Sequence, residues 1–226
     1  QTPGKTTSHI DWFGNTTHFL SLPDALTTIE IKATGQVEVS PAIPNLALGP
    51  LPATYYLRST NLTDLNQNMK DLALSVSSGT TLIMPEQTLA MLNELSARIL
   101  ANVPYTRGAT STATTAIDAF TLAAGVCQDH AHIFLACCRF LNLPARYVSG
   151  YLHTDDASHL ASPGWAEAWV NNAWDSFDIS NQCNAGEHHI ELAYGLDYLD
   201  ASPIRGTRLG GGREQLLVVS LVTGQE

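Results

Sequence analysis

Basic residues are scarce in this chain: 11 Lys and Arg stand against 21 Asp and Glu in 226 residues, a formal net charge of -10. Phosphate backbones and anionic lipid surfaces repel such a chain, so neither nucleic acid nor a membrane is expected as a partner. Long apolar runs are missing too. Nothing approaches the ~18 residues of a bilayer-spanning helix, and Gln1–Ser8 lack a basic-then-apolar leader pattern. Cysteines number only four, with Cys137 and Cys138 adjacent inside an apolar stretch. That excludes a disulfide scaffold and gives a reducing compartment, the cytoplasm, as the expected location. The chain starts at Gln1 without Met, so an upstream segment is left open.

What is present is a core-forming composition. With 44% hydrophobic and 14% charged residues the chain is too apolar for intrinsic disorder, and its length suits one large or two small domains. Residues 8–60 read as β. Within them, residues 28–39 alternate apolar and polar around Thr34-Gly35, which predicts a half-buried hairpin. Ser40–Pro52, with four prolines and one glycine, reads as a linker. The expected organisation is an N-terminal β-module over 1–60 and a second domain over 61–226. Pro85 suits a helix start, and Leu89, Leu92, Leu95 (or Met91) and Ile99 follow at helical spacing over 86–101. Residues 113–122 predict a second helix. Residues 127–141 predict a third, strongly apolar and central, ending before Asn142-Leu-Pro144. Three strands follow, at 145–152, 165–170 and 173–178, the last two joined by an Asn171-Asn172 turn. A polar loop over 153–164 precedes the second of them, and 214–222 reads as a closing strand. The expected class is α+β, an antiparallel sheet packed on the central helix.

The chemistry-bearing feature is Gly125-Val-Cys127-Gln-Asp-His-Ala-His132. A thiol at the start of an apolar helix sits at the positive end of the helix dipole, among backbone donors that lower its pKa and can hold an oxyanion. That is where a nucleophile belongs, although a free cysteine is also commonly a small buried hydrophobe. A thiol nucleophile needs an imidazole base, itself oriented by a carboxylate or amide. Asp178 closes an aromatic strand in Ser176-Phe-Asp-Ile-Ser-Asn181 and could do this, or could simply cap a turn. Metal readings are weak. His130 and His132, two apart on a helix, face different ways, and His188-His189 lack a third ligand and read as a solvated turn. Gly210-Gly-Gly-Arg213 lacks the lysine and helix of a phosphate loop. Neither metal nor cofactor is expected.

Gly125–His132, Leu143-Pro-Ala-Arg-Tyr-Val-Ser-Gly-Tyr151, Trp165-Ala-Glu-Ala-Trp169 and Phe177-Asp-Ile-Ser-Asn181 together resemble the bacterial transglutaminase-like cysteine enzymes. The likeness extends to Tyr105–Thr110 and Gly195–Gly206, covering most of 85–226, and Asp11–Asn15 is similar to the β-module that precedes the core in bacterial members. The resemblance implies a papain-like core in which Cys127 is the nucleophile and Asp178 orients a histidine, with peptide or isopeptide amides as substrates. The family's histidine stands two residues before the tryptophan, in the pattern His-Ala-Trp-Ala-Glu. This chain has Pro163-Gly164-Trp165-Ala166-Glu167 there. Three alternatives follow. His159 reaches in from the loop, His130 serves from one turn along the helix, or the triad is broken and the cleft only binds peptides or partner proteins. His159 is favoured because a base must meet Cys127 and Asp178 together.

Overall fold

The structure, a computed structural model, describes residues 4–22, 29–32, 34–38, 49–77, 85–153 and 163–206. Its axis is helix α4 (Cys127–Phe140), in which every residue from Gln128 to Arg139 is buried. A helix with no solvated face must be wrapped on all sides. Helices α1 (Gln67–Val76), α2 (Pro85–Asn102) and α3 (Ala116–Leu122) cover one side, packing Met69, Ala73, Leu92, Leu95, Ile99, Ala116 and Ala119 against it. An antiparallel sheet covers the other. Its strands are β3 (Ala145–Leu152), β4 (Gly164–Val170), β5 (Ala173–Phe177) and β6 (His189–Gly195), in the order β5-β4-β3-β6. Asn171 and Asn172 both adopt positive φ (49° and 61°), as a two-residue hairpin between β4 and β5 requires. A short helix α5 (Tyr198–Ala201) follows β6.

The class and the predicted helices and strands of the core therefore stand, while α1, β6, α5 and two 3-10 turns, Ala53–Leu57 and Asn61–Thr63, escaped sequence reading, the first of these turns lying within the 8–60 stretch read as β. The hairpin expected over 28–39 does not show among the described residues. Residues 29–32 and 34–38 have no strand structure and are exposed, because alternation marks a face that could be buried but supplies no partner to pair with. The N-terminal β-structure is instead the pair β1 (Lys5–Ile10) and β2 (Thr16–Ser21). Its turn docks on the sheet. Asp11 accepts from the Phe13 and Asn15 amides, and the Asn15 side chain exchanges two hydrogen bonds with the Tyr194 backbone on β6, at 2.9 and 3.1 Å. Phe13, Tyr56, Trp174 and Leu196 form a second apolar cluster beneath it. The closing strand expected at 214–222 and the glycine run 210–212 lie outside the described residues.

Two buried cations lock these layers. Arg146 on β3 pairs with Glu167, its direct partner on β4, between the rings of Trp174 and Tyr194. Arg139, near the end of α4, donates to the carbonyls of Tyr56 (3.0 Å), Ala145 (2.9 Å) and Leu196 (2.6 Å) and to the Thr63 hydroxyl (2.8 Å). Burial lowers its pKa only to about 10, so it stays charged at neutral pH. Arg139→Met should cost about 2–4 kcal/mol in chemical denaturation, since three buried carbonyls lose their donor at once.

His132, midway along α4, is buried and its Nε2 accepts from the Tyr198 amide at 3.1 Å. Burial pushes its pKa down from 6.5 to about 4. The unfolded chain therefore takes up the proton first, and His132 contributes stability above pH ~6.5 that is lost as the pH falls toward 4, by up to about 3 kcal/mol. His132→Gln retains an acceptor for the amide. Urea titrations across that window should show a shallower fall for the variant, with the neighbouring His130, also lowered by burial, keeping part of the slope.

Candidate active site

Cys127 opens α4, and the residues around it explain why the helix starts there. The Asp129 carboxylate folds back to accept from the Val126 amide (2.8 Å) and the Thr110 hydroxyl (2.6 Å), so the helix caps itself. Gly125 makes room for this, because a Cβ there would sit 2.8 Å from the Asp129 Cβ. Thr106 donates to the Gly125 carbonyl at 2.7 Å and fixes the approach of the chain. Cys127 is half-buried as a residue, with the Gly164 and Gln128 amides directed at its sulfur. Burial nevertheless pushes its pKa up, and the negative Asp178 and Asp129 add to that rise against the two amides. Cys137 and Cys138, by contrast, are core residues.

Asp178 follows directly on β5 and is 2% exposed. Its backbone forms an antiparallel bridge with Cys183, and its carboxylate accepts from the Asn181 amide (3.1 Å) and side chain (2.7 Å). The intervening turn holds Gln182 at φ 54°, secured by its side chain donating to Ser96 on α2 and to the Ile179 carbonyl. The third donor to the carboxylate is His189 Nε2, at 3.0 Å. Burial alone would raise the Asp178 pKa, but the His189 and Asn181 bonds outweigh it and hold the carboxyl below its usual range.

His189 is not the solvated turn residue expected from the sequence. It opens β6, its side chain is only 7% exposed, and its ring meets the indole of Trp165 edge-on at 5.2 Å. Trp165 in turn lies over Gly150, where a Cβ would come within 2.4 Å of the indole. The Gly186 amide faces His189 Nδ1 at 3.3 Å, which assigns the ring proton to Nε2, toward Asp178. The solvated turn expected for His188-His189 describes only His188, which is exposed and stacks on His153. A hint was available in the alternation His189-Ile-Glu-Leu-Ala-Tyr194, but nothing in sequence tells that β6 pairs with β3 and brings this ring to Asp178.

Of the other candidate bases, His130 has both nitrogens engaged, with the Ser180 hydroxyl (2.8 Å) and the Val103 carbonyl (2.7 Å), and burial lowers its pKa. It is a structural tie between α4 and the turn after β5. His159 lies outside the described residues. Pro163 is half-buried immediately before β4, and its carbonyl accepts from the Gly150 amide at 3.1 Å.

Residues 77–179 match the Transglutaminase-like superfamily. Over 129 residues the chain is 34% identical to an uncharacterized protein of Mycobacterium leprae, spanning 54% of this chain but only 46% of that relative. An uncharacterized protein of Mycobacterium tuberculosis is 27% identical over 97% of this chain and 77% of its own length. Among solved structures, a protein described as a candidate cysteine protease from Cytophaga hutchinsonii aligns with a TM-score of 0.55 and 27% identity, over 66% of this chain and 48% of that one.

Gly164 stands where the family pattern has alanine, and Tyr147 has taken the room. A Cβ at Gly164 would meet the Tyr147 hydroxyl oxygen at 2.0 Å and its ring at 2.6 Å. Because Tyr147 is buried, Gly164→Ala should destabilise the fold by about 1–3 kcal/mol. Thermal melts of Gly164→Ala, Tyr147→Leu and the double variant should show strong non-additivity, the second substitution relieving the first.

Proposed function

Residues 77–179 belong to the transglutaminase-like superfamily, and from that premise we propose that the chain is a cysteine-dependent enzyme acting on protein or peptide amide bonds. The observation that carries this reading is a buried carboxylate, Asp178, holding an imidazole beside Trp165, close enough to the Cys127 thiol to raise its pKa. In this reading His189 replaces the missing β4 histidine, supplied from the opposite edge of the sheet. Gly186 is exposed and its amide meets Nδ1 only at 3.3 Å, so that amide can yield and leave the nitrogen to accept the thiol proton, while the Gly186 carbonyl keeps its 2.8 Å bond from the His189 amide. The Cys127 sulfur then attacks the amide carbonyl. The proton passes to the departing amine, and a thioester forms while backbone amides at the start of α4 steady the oxyanion. Water resolves the thioester in hydrolysis, an amine in crosslinking, and the proposal favours hydrolysis. His159 is the alternative donor of the imidazole.

Two observations favour a second reading, a peptide-binding module without turnover. Pro163 cannot exchange a proton, and burial leaves Cys127 with a raised pKa, the opposite of an activated thiol.

Site-resolved alkylation at neutral pH separates these readings, with peptide mapping needed because Cys183 is exposed and reacts as well. His189→Ala should slow modification of Cys127 by roughly tenfold or more, and Cys127→Ser should abolish thioester formation with an activated amide substrate. Slowing by His159→Ala alone would move the base to the 154–162 segment. No change in either variant, together with no turnover, would leave the binding module.

A further inference from the structure

Three ligand-bearing side chains converge at the end of β5: Asp178, Cys183 and His189 offer one oxygen, one sulfur and one nitrogen, all within 4.8 Å of one another. They come from three places in the chain, and each is placed by the fold. Asp178 and Cys183 exchange both backbone hydrogen bonds, 2.8 and 3.2 Å, and directly opposed residues of an antiparallel pair send their side chains to the same face. His189 is held there by the edge of Trp165 and by the Asp178 carboxylate.

From this convergence we propose that Asp178, Cys183 and His189 form a binding site for a zinc-class divalent cation that regulates the neighbouring thiol. Zinc takes carboxylate and imidazole at about 2.0–2.2 Å and thiolate at about 2.3 Å in a tetrahedron, so its ligands stand roughly 3.3–3.8 Å apart. His189 Nε2 and Asp178 Oδ2, at 3.0 Å, are already near that spacing, and the cluster has at most about 1 Å to close. Thiolate and imidazole donors exclude magnesium and calcium. Carboxylate and thiolate together neutralise the dication. Cys183 is exposed, which leaves the fourth position to water and gives the ion a path in. Asn181 supplies the outer hydrogen bonds that hold the Asp178 carboxylate in place.

The protons balance simply. Cys183 releases its thiol proton to solvent, and the His189 proton moves from Nε2 to Nδ1. Nδ1 then becomes a donor, so the Gly186 amide must turn aside. That contact is long, 3.3 Å, and Gly186 is exposed, with nothing within 4 Å of its Cβ position.

The regulatory part rests on the proposed thiol chemistry: a bound cation would occupy both the carboxylate and the imidazole that Cys127 needs. The site itself does not rest on it, so its test uses Cys127→Ser, which removes that thiol as a competing ligand. Titration of this variant with zinc against a chelating indicator should give one ion per chain. Cobalt should give a thiolate-to-cobalt charge-transfer band. Adding Cys183→Ser, at an exposed position, should abolish the band and weaken zinc binding by roughly tenfold or more, as should His189→Ala, while His153→Ala changes neither. Binding that survives Cys183→Ser, or a cobalt complex without the band, overturns the site. In the chain with Cys127 intact, zinc should slow Cys127 alkylation, and Cys183→Ser should relieve that inhibition. If zinc binds through Cys183 yet leaves the alkylation rate unchanged, the metal site stands and the reading of His189 as the working base fails. If zinc does not bind while His189→Ala slows alkylation, the metal site fails and the catalytic reading stands.

Discussion

The burial of α4 from Gln128 to Arg139 is the constraint on which the rest of this structure depends. A helix enclosed on every side over that span has to satisfy its polar groups inside the protein, and each solution joins α4 to another element. Arg139 binds carbonyls from the segment before α1, from β3 and from the turn before α5. His132 accepts from the first residue of α5, and His130 joins Val103 to the turn after β5. Cys127 is fixed in space because the helix it opens cannot shift without breaking these bonds.

The site inherits its economy from the sheet. Trp165 on β4 lies across Gly150 on β3 and reaches His189 on β6, so one indole spans the distance between the start of β4 and the start of β6. Asp178 meets this arrangement from β5. With proline at position 163, the carboxylate still meets an imidazole, since the chain between β5 and β6 returns one to it. The same return path brings Cys183 alongside, so the carboxylate and imidazole of a thiol site are also two of three ligands suited to a soft cation. The two uses exclude each other, because both draw on His189 Nε2 and Asp178.

Local signals were legible wherever a residue's role depends on its near neighbours. The apolar period of α2 and α4, the Asn171-Asn172 turn, the placement of Cys127 behind Gly125 and that of Asp178 at a strand end all involve contacts within a few residues. The alternation in 28–39 misled for the complementary reason, since pairing depends on a partner strand that sequence does not name. His188 and His189 look alike as neighbours in the chain. One is exposed and the other nearly buried, a distinction made by the register in which Leu152 faces His189 at the end of β3.

By itself, then, the sequence determined the α+β class, the central helix, the nucleophile candidate at its start and the absence of a histidine at position 163, because each is written in composition, period or a short motif. Only the tertiary structure decided which imidazole meets Asp178. Residues 178, 183 and 189 become neighbours through a backbone bridge and a strand pairing on the far edge of the sheet, and the free energy that selects those contacts comes from burying Trp165, α4 and the sheet between them, not from the residues that form the site.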